Sequence, residues 1–328
     1  MGQAKQRGSL SDRIEQAQGA IQLLNYSADA FNDLLELARS LETPGDLVKL
    51  QSVLTLRGMA SKLRNSQKFL LPLNGDILEV AGMRESYLDL LRLPYPITAL
   101  EFPTDPSRNG GARKCVVLAW TGTDGLNERS EVFSLDEDEL GEVIQFTVFY
   151  FSYKQNAWRP TPCTFWFHRN HIELQGTAIT KGLGYAHSYP SLFAGFYDRF
   201  KDDPDALKDE IHEELKIGMD TLIEFCLTVN CENVRQSVIP ASEILNKRRV
   251  ERGDKPFDTY RVLTIPGSGS RGASVSADFH ASPRLHIRRG HLRRLASGKV
   301  TWVRHTLVGD ANRGVAEKSY KVSVQQEQ

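Results

Sequence analysis

The chain is poor in cysteine and methionine, with four of each in 328 residues, and no long apolar run occurs. No stretch approaches the roughly 20 uncharged apolar residues of a membrane span. The opening, Met1 to Arg7, leads into a polar segment without the apolar core of a signal peptide. No membrane contact is therefore expected, and a cytoplasmic location is. Cys115, Cys163, Cys226 and Cys231 are scattered, and the closest pair has four residues between its members. That spacing fits neither a zinc ribbon nor a redox CxxC, and runs such as KCVVLAW and IEFCLTV read as buried thiols in a reducing compartment. GxGxxG, GxSxG, HExxH and Walker patterns are also missing, which excludes the common cofactor and hydrolase signatures, so no cofactor is expected. Gly182, Gly184 and Tyr185 lack the Lys-Ser/Thr of a P-loop and fit a turn.

What is present is an ordinary globular balance, 40% hydrophobic and 25% charged, in a length that suits one large domain or two smaller ones. Leu10, Ile14, Ala17, Ile21 and Leu24 recur at helical spacing after Ser9. A second amphipathic run spans Ala28 to Leu41. Thr43, Pro44 and Asp46 supply a cap, a first-turn proline and a first-turn acid for a third run through Leu47, Leu50, Leu54 and Leu63. Prolines 72, 94, 96 and 103 read as a connection from Lys68 to Pro106. Apolar runs at Cys115–Trp120, Val143–Phe151, Cys163–Phe167, His171–Leu174 and Tyr260–Ile265 predict strands of an antiparallel sheet. Asp203-Pro204 opens a long helix with Leu207, Ile211, Leu215, Met219, Leu222 and Cys226 on one face. The expectation is an α+β fold: a helical N-terminal region (1–66), a core domain (67–265), a linker (266–278) and a C-terminal basic β unit (279–328).

The net charge of zero is unevenly distributed. Seven Lys or Arg and no acid lie between Arg284 and Arg304, leaving 34 Lys and Arg against 41 Asp and Glu elsewhere, a net −7. In Arg284-Leu285-His286-Ile287-Arg288 basic and apolar residues alternate as on a strand with one cationic face. Ser297-Gly298 can return the chain into Lys299–Val308, predicting a basic β-hairpin. Arg284, Arg288, Arg289, Arg293, Arg294, Lys299 and Arg304 are candidate nucleic-acid contacts, with Trp302 supporting them or stacking on a base. Lys247, Arg248 and Arg249 are candidates for the same footprint, diluted by Glu251 and Asp254.

Four of the eight histidines (His280, His286, His291, His305) fall within the 26 residues 280–305. His286 and His291 are candidate general base and acid for metal-independent RNA cleavage, with neighbouring cations stabilising charge on phosphorus. A surface that only holds phosphate, or that pairs with the acidic remainder of the chain, uses the same residues without catalysis. Metal binding by His280, His286 and His291 is disfavoured by their spacing and by the surrounding cations, so no metal is expected. Phe146, Phe149, Tyr150, Phe151, Trp158, Phe165, Trp166 and Phe167 have strand spacing and read as core.

Met1-Gly2-Gln3-Ala4-Lys5-Gln6-Arg7-Gly8, Leu245-Asn246-Lys247-Arg248-Arg249 with Gly253, Lys255, Pro256 and Tyr260 to Leu263, and His280-Ala281-Ser282-Pro283-Arg284-Leu285-His286-Ile287-Arg288-Arg289-Gly290-His291 together resemble a widespread family of uncharacterised phage and prophage proteins. Gly298-Lys299 and Trp302-Val303-Arg304 continue the pattern, and Ala281 replaces its usual Ser. The resemblance implies a viral protein acting in the bacterial host cytoplasm, on nucleic acid or on host and defence proteins, and assigns no catalytic residue. Nucleic-acid contact through the hairpin is the leading expectation. An inhibitor or adaptor that binds a bacterial defence protein comes next, and a metal-independent ribonuclease third.

Overall fold

The computed structural model describes residues 24–77, 85–107, 111–124, 137–175, 178–241, 243–253, 256–264, 284–288, 291–303, 306–308 and 310–315. The expected first helix, apart from Leu24, and the linker 266–278 lie outside them.

Two helices come first. In α1 (Tyr26–Leu41) the buried Ala30, Leu34 and Ala38 recur every four residues, so one narrow stripe meets α2 (Leu47–Asn65), and the alanines let the two backbones approach. The cap of α2 is Asp46, whose carboxylate accepts the Lys49 N–H at 3.0 Å, and not Thr43 as the sequence suggests. Its core face also differs from the leucine period. Val53, Leu56, Ala60 and Leu63 are buried, while Leu47, Leu50 and Leu54 are exposed, Leu47 to 77%.

The strands follow: β1 (Gln67–Leu70), β2 (Ile97–Pro103), β3 (Lys114–Thr121), β4 (Ile144–Ser152), β5 (Ala157–Pro160), β6 (Cys163–Phe167), β7 (Glu173–Gln175), β8 (Ala178–Lys181) and β9 (Gly184–His187), with the short α3 (Glu137–Leu140) before β4. After β9 come α4 (Ala194–Arg199), the long α5 (Pro204–Val229), β10 (Arg235–Ile239), α6 (Glu243–Glu251) and β11 (Tyr260–Thr264). One nine-stranded sheet runs β10-β11-β1-β2-β3-β4-β6-β9, with β5 paired to β4. The fold is α+β and the sheet mostly antiparallel, but β1 lies parallel to both β11 and β2. The stretch 68–106, expected as a connection, thus supplies two central strands. Strand β1 is too short to show a period, and Pro103 is tolerated because it ends β2.

Helices cover both faces of the sheet, which is why β3 reads as an unbroken apolar run. Cys115, Val117 and Ala119 pack with Ile211, Leu215, Met219, Leu222 and Cys226 of α5. Val116, Leu118 and Trp120 point the other way, into a second cluster with α1 and α2. Asp203 caps α5 through the Ala206 N–H at 3.0 Å, with Pro204 in the first turn, as the sequence predicts. Helix and sheet approach closely: a Cβ on Gly218 would lie 2.3 Å from Val148.

Glu101, fully buried on β2, joins the layers. Its carboxylate accepts the Tyr26 N–H at 2.9 Å and the Ser27 N–H at 3.0 Å at the start of α1, and the Tyr260 hydroxyl at 2.9 Å and 3.0 Å. Burial pushes its pKa up and these hydrogen bonds oppose the shift. Asn246 clamps the loop before β11, accepting the Phe257 N–H at 2.7 Å and donating to the Phe257 carbonyl at 3.2 Å. Two residues of the 245–263 stretch, Asn246 and Tyr260, therefore fasten the fold.

Candidate binding cleft and basic hairpin

The C-terminal strands are β12 (Arg284–Arg288), β13 (His291–Arg294), β14 (Val300–Val303), β15 (Thr306–Val308) and β16 (Asp310–Val315). His291 faces Val303 and Arg294 faces Val300 across β13 and β14, and Arg288 faces Thr306 across β12 and β15. The inner and outer pairings share one register, so the described strands pair as the two arms of an antiparallel hairpin around Ser297-Gly298. Gly298 takes φ 81°, a left-handed value that favours glycine at this turn. Strand β16 adds a parallel pairing to β12.

The inner half of the hairpin is held against the body. Val300 is buried, and Leu292 packs on the α5-side core. Asn233 donates to the Trp302 carbonyl and accepts its N–H, both at 2.8 Å, and the Tyr87 hydroxyl donates to the Leu292 carbonyl at 3.0 Å. Arg294 pairs with Asp89 at 2.7 Å and lies over the Tyr87 ring, while Lys299 pairs with Glu232 at 2.6 Å. The half-buried Trp302 has an indole N–H without a hydrogen-bond partner. Arg293 is exposed. Arg284, His286, Arg288 and His291 have strand backbone but side chains outside the description, and Arg289 and Arg304 fall outside it altogether. On α6, Lys247 and Arg248 are exposed, and Arg249 stacks over Phe257 at 4.3 Å.

A cleft of about 880 Å3 opens between α5 and the end of β4. The α5-facing positions of β4 continue from the buried Ile144, Phe146 and Val148 to Tyr150 and Ser152, which line the cleft with the turn Tyr153-Lys154. On α5 the lining residues Glu210, Glu213, Ile217, Asp220 and Glu224 recur at three and four residues. They form a stripe beside the apolar one. Asp76 adds a fifth carboxylate against the two lysines Lys154 and Lys216. The floor is fixed from below: Glu224 accepts the Ile77 N–H at 2.8 Å, and Gly75 at φ 72° sits where a Cβ would meet Thr221 Oγ1 at 2.3 Å. Low-dielectric walls and excess negative charge concentrate the field in such a groove and favour a cationic ligand. The acidic stripe is legible as Glu210, Glu213, Asp220 and Glu224 at helical spacing, a signal obscured by the apolar stripe that shares the helix.

A third cluster lies at the far end of β6, where Glu139, His168 and His171 bring one potential ligand atom each within 4.8 Å of one another. His168 is buried, and burial followed by the nearby His171 holds its pKa below the ordinary value. The signal for this cluster is a His-x-x-His spacing at 168 and 171, beyond the C-terminal histidines that dominate a reading by density.

The chain matches the model of the AcrVA2-like family, anti-CRISPR type V subtype A2, over residues 79–310, more than two thirds of its length. It belongs to that family. No curated protein and no solved structure matches it. The AcrVA2-like match spans β4, α5 and the hairpin, and starts beyond α1, α2 and the Asn74–Asp76 edge of the cleft. Membership supports the phage association that the sequence pattern implies, and says nothing of the tail motif itself.

None of the four cysteines is in a disulfide, and all are buried, as their apolar contexts predict. Burial pushes the Cys231 thiol up to about 12. Cys163 lies 3.7 Å from His187 Nδ1, but its burial withholds it from substrate. No helix among the described residues is long and apolar enough to cross a membrane.

Proposed function

We propose that the chain inhibits a bacterial type V CRISPR defence by binding one of its protein components, with the carboxylate-lined cleft receiving a Lys- or Arg-rich segment of that component. The observation that carries the reading is membership of an anti-CRISPR family over most of the chain. The cleft adds the chemistry: five carboxylates and two lysines around about 880 Å3, rimmed by Tyr150 and Tyr153 that can cover the stems of basic side chains.

The test is phage plating on a host with an active type V CRISPR system, with and without the chain, combined with affinity capture from nuclease-treated lysate. Restored plating together with a retained CRISPR protein is expected. Full immunity in the presence of folded protein would sink the reading. Contact with nucleic acid through the hairpin is the second reading, favoured by the acid-free stretch 284–304 and the exposed Arg293. It requires binding to RNA or duplex DNA that weakens steeply with salt, and capture that nuclease treatment abolishes.

A further inference from the structure

The cluster at the end of β6 has the composition of a metal site. Strand β6 stops at Phe167, and a single 3-10 turn, Arg169–His171, reverses the chain. Residues three apart eclipse one another on such a turn, so His168 and His171 come to the same side with ring centroids 5.0 Å apart. Opposite them, Glu139 and Glu142 are joined by a turn in which the Glu142 N–H donates to the Glu139 carbonyl at 2.9 Å. The sequence thus offers Glu-x-x-Glu from one turn and His-x-x-His from another.

One distance in the cluster is already that of coordination. His171 Nε2 and Glu139 Oε1 are 3.2 Å apart, and two ligands on one tetrahedral zinc, each roughly 2.0 to 2.1 Å from it, lie roughly 3.3 Å apart. His168 Nε2 is buried with no hydrogen-bond partner, in a side chain only 1% exposed, and the carboxylate oxygen Glu142 Oε2 lies 3.9 Å from it. A buried ring nitrogen directed at carboxylates and lacking a partner is an unmet polar demand. Two imidazoles and a carboxylate are borderline donors that select zinc and its first-row neighbours over magnesium or calcium.

We propose that Glu139, His168 and His171 bind a first-row divalent cation, zinc by preference, with Glu142 or water as the fourth ligand. Two local contacts compete with the ion. The Asn170 N–H donates to His168 Nδ1 at 3.2 Å, which places the proton of the neutral ring on Nε2. Coordination through Nε2 moves that proton to Nδ1, and the turn must then release the Asn170 N–H. Arg169 holds Glu142 at 2.5 Å, so Glu142 is the weaker donor and the other three residues define the site. The ion would fasten the turn after α3 to the end of β6. This inference is independent of the proposed inhibitory contact.

The experiment uses the full chain stripped with chelator and titrated with zinc chloride alone, followed by calorimetry and thermal melting. One zinc per chain and a raised Tm are expected, with the Asn170 amide resonance shifting on binding. His171→Ala and Glu139→Gln alter exposed or half-exposed side chains, so the fold should persist while zinc affinity falls at least about tenfold. Cobalt in place of zinc should give visible absorption in the parent and none in His171→Ala. Absence of zinc binding, or equal binding by the parent and His171→Ala, overturns the proposal, the second result placing the ion on other histidines.

Discussion

The C-terminal hairpin and the cleft on α5 carry opposite charge, and they differ most in what faces that charge. The hairpin comes from a stretch of seven cations without an acid. Folding sets two of them against the body, Arg294 on Asp89 and Lys299 on Glu232. The cleft comes from a helix with seven Asp and Glu against two Lys, four of whose carboxylates gather on one stripe, and Glu210 and Glu213 remain exposed. Charge counted along a sequence shows the acidity of the helix but overstates the field of the hairpin. The latter depends on which groups meet counter-ions across tertiary contacts.

This comparison ranks the charges of the molecule, and substitutions test the ranking. The largest effect is expected at Glu101, the buried carboxylate that ties the start of α1 and Tyr260 of β11 to β2. Glu101→Ala strands two N–H groups and a hydroxyl and should lower stability by about 3 kcal/mol or more, read as the shift in urea midpoint. A loss below about 1 kcal/mol would show that water replaces the carboxylate. Next come the two exposed acids of the cleft. Reversal to Lys in the double variant Glu210→Lys/Glu213→Lys should weaken capture of the defence protein by about tenfold or more, against a change within about threefold for Lys299→Glu. Equal effects would break the distinction between cleft and hairpin.

The hairpin ion pairs rank lower. A double-mutant cycle on Arg294 and Asp89 should give a coupling of about 0.5 kcal/mol, shrinking in high salt, because both side chains are substantially exposed. Asp89 nevertheless has its carboxyl held below the usual range, first by the hydrogen bond from Arg294. Its contribution is present above the unfolded carboxylate pKa and is lost as pH falls through the folded value.

The smallest effect concerns histidine. Burial pushes His187 and His212 below their ordinary value of 6.5. The unfolded chain then binds more protons between the lowered folded values and 6.5, so stability is full above that window and declines as pH falls through it. The denaturation midpoint should drop as pH falls below 6.5, and by less in His187→Gln. An identical drop in the variant would remove His187 from the account.

Much of the fold was readable because its determinants are local. Asp203-Pro204 followed by an apolar stripe announces α5, and Ser297-Gly298 between alternating segments announces the hairpin, down to its turn. The same kind of evidence misleads on α2, where the leucine period is helical but Leu47, Leu50 and Leu54 end on the solvent side. A period specifies the conformation, and which stripe becomes core depends on where the neighbouring helix and sheet lie. Strand β1 was missed because four residues are too few to display a pattern, and its parallel partner Tyr260 lies far along the chain.

The sites divide in the same way. The cationic stretch stands out in sequence because its residues are neighbours along the chain. Glu139 and His168, or Asp76 and Glu210, belong to different turns and helices, and only packing brings them together. The amino-acid sequence by itself determined the α+β class, the long capped helix, the buried thiols and the hairpin, since each follows from residue spacing within one segment. The tertiary structure alone decided which cations are paired, where carboxylates converge and which histidines meet. Those outcomes depend on distances through space between segments, and residue spacing along the chain does not encode them.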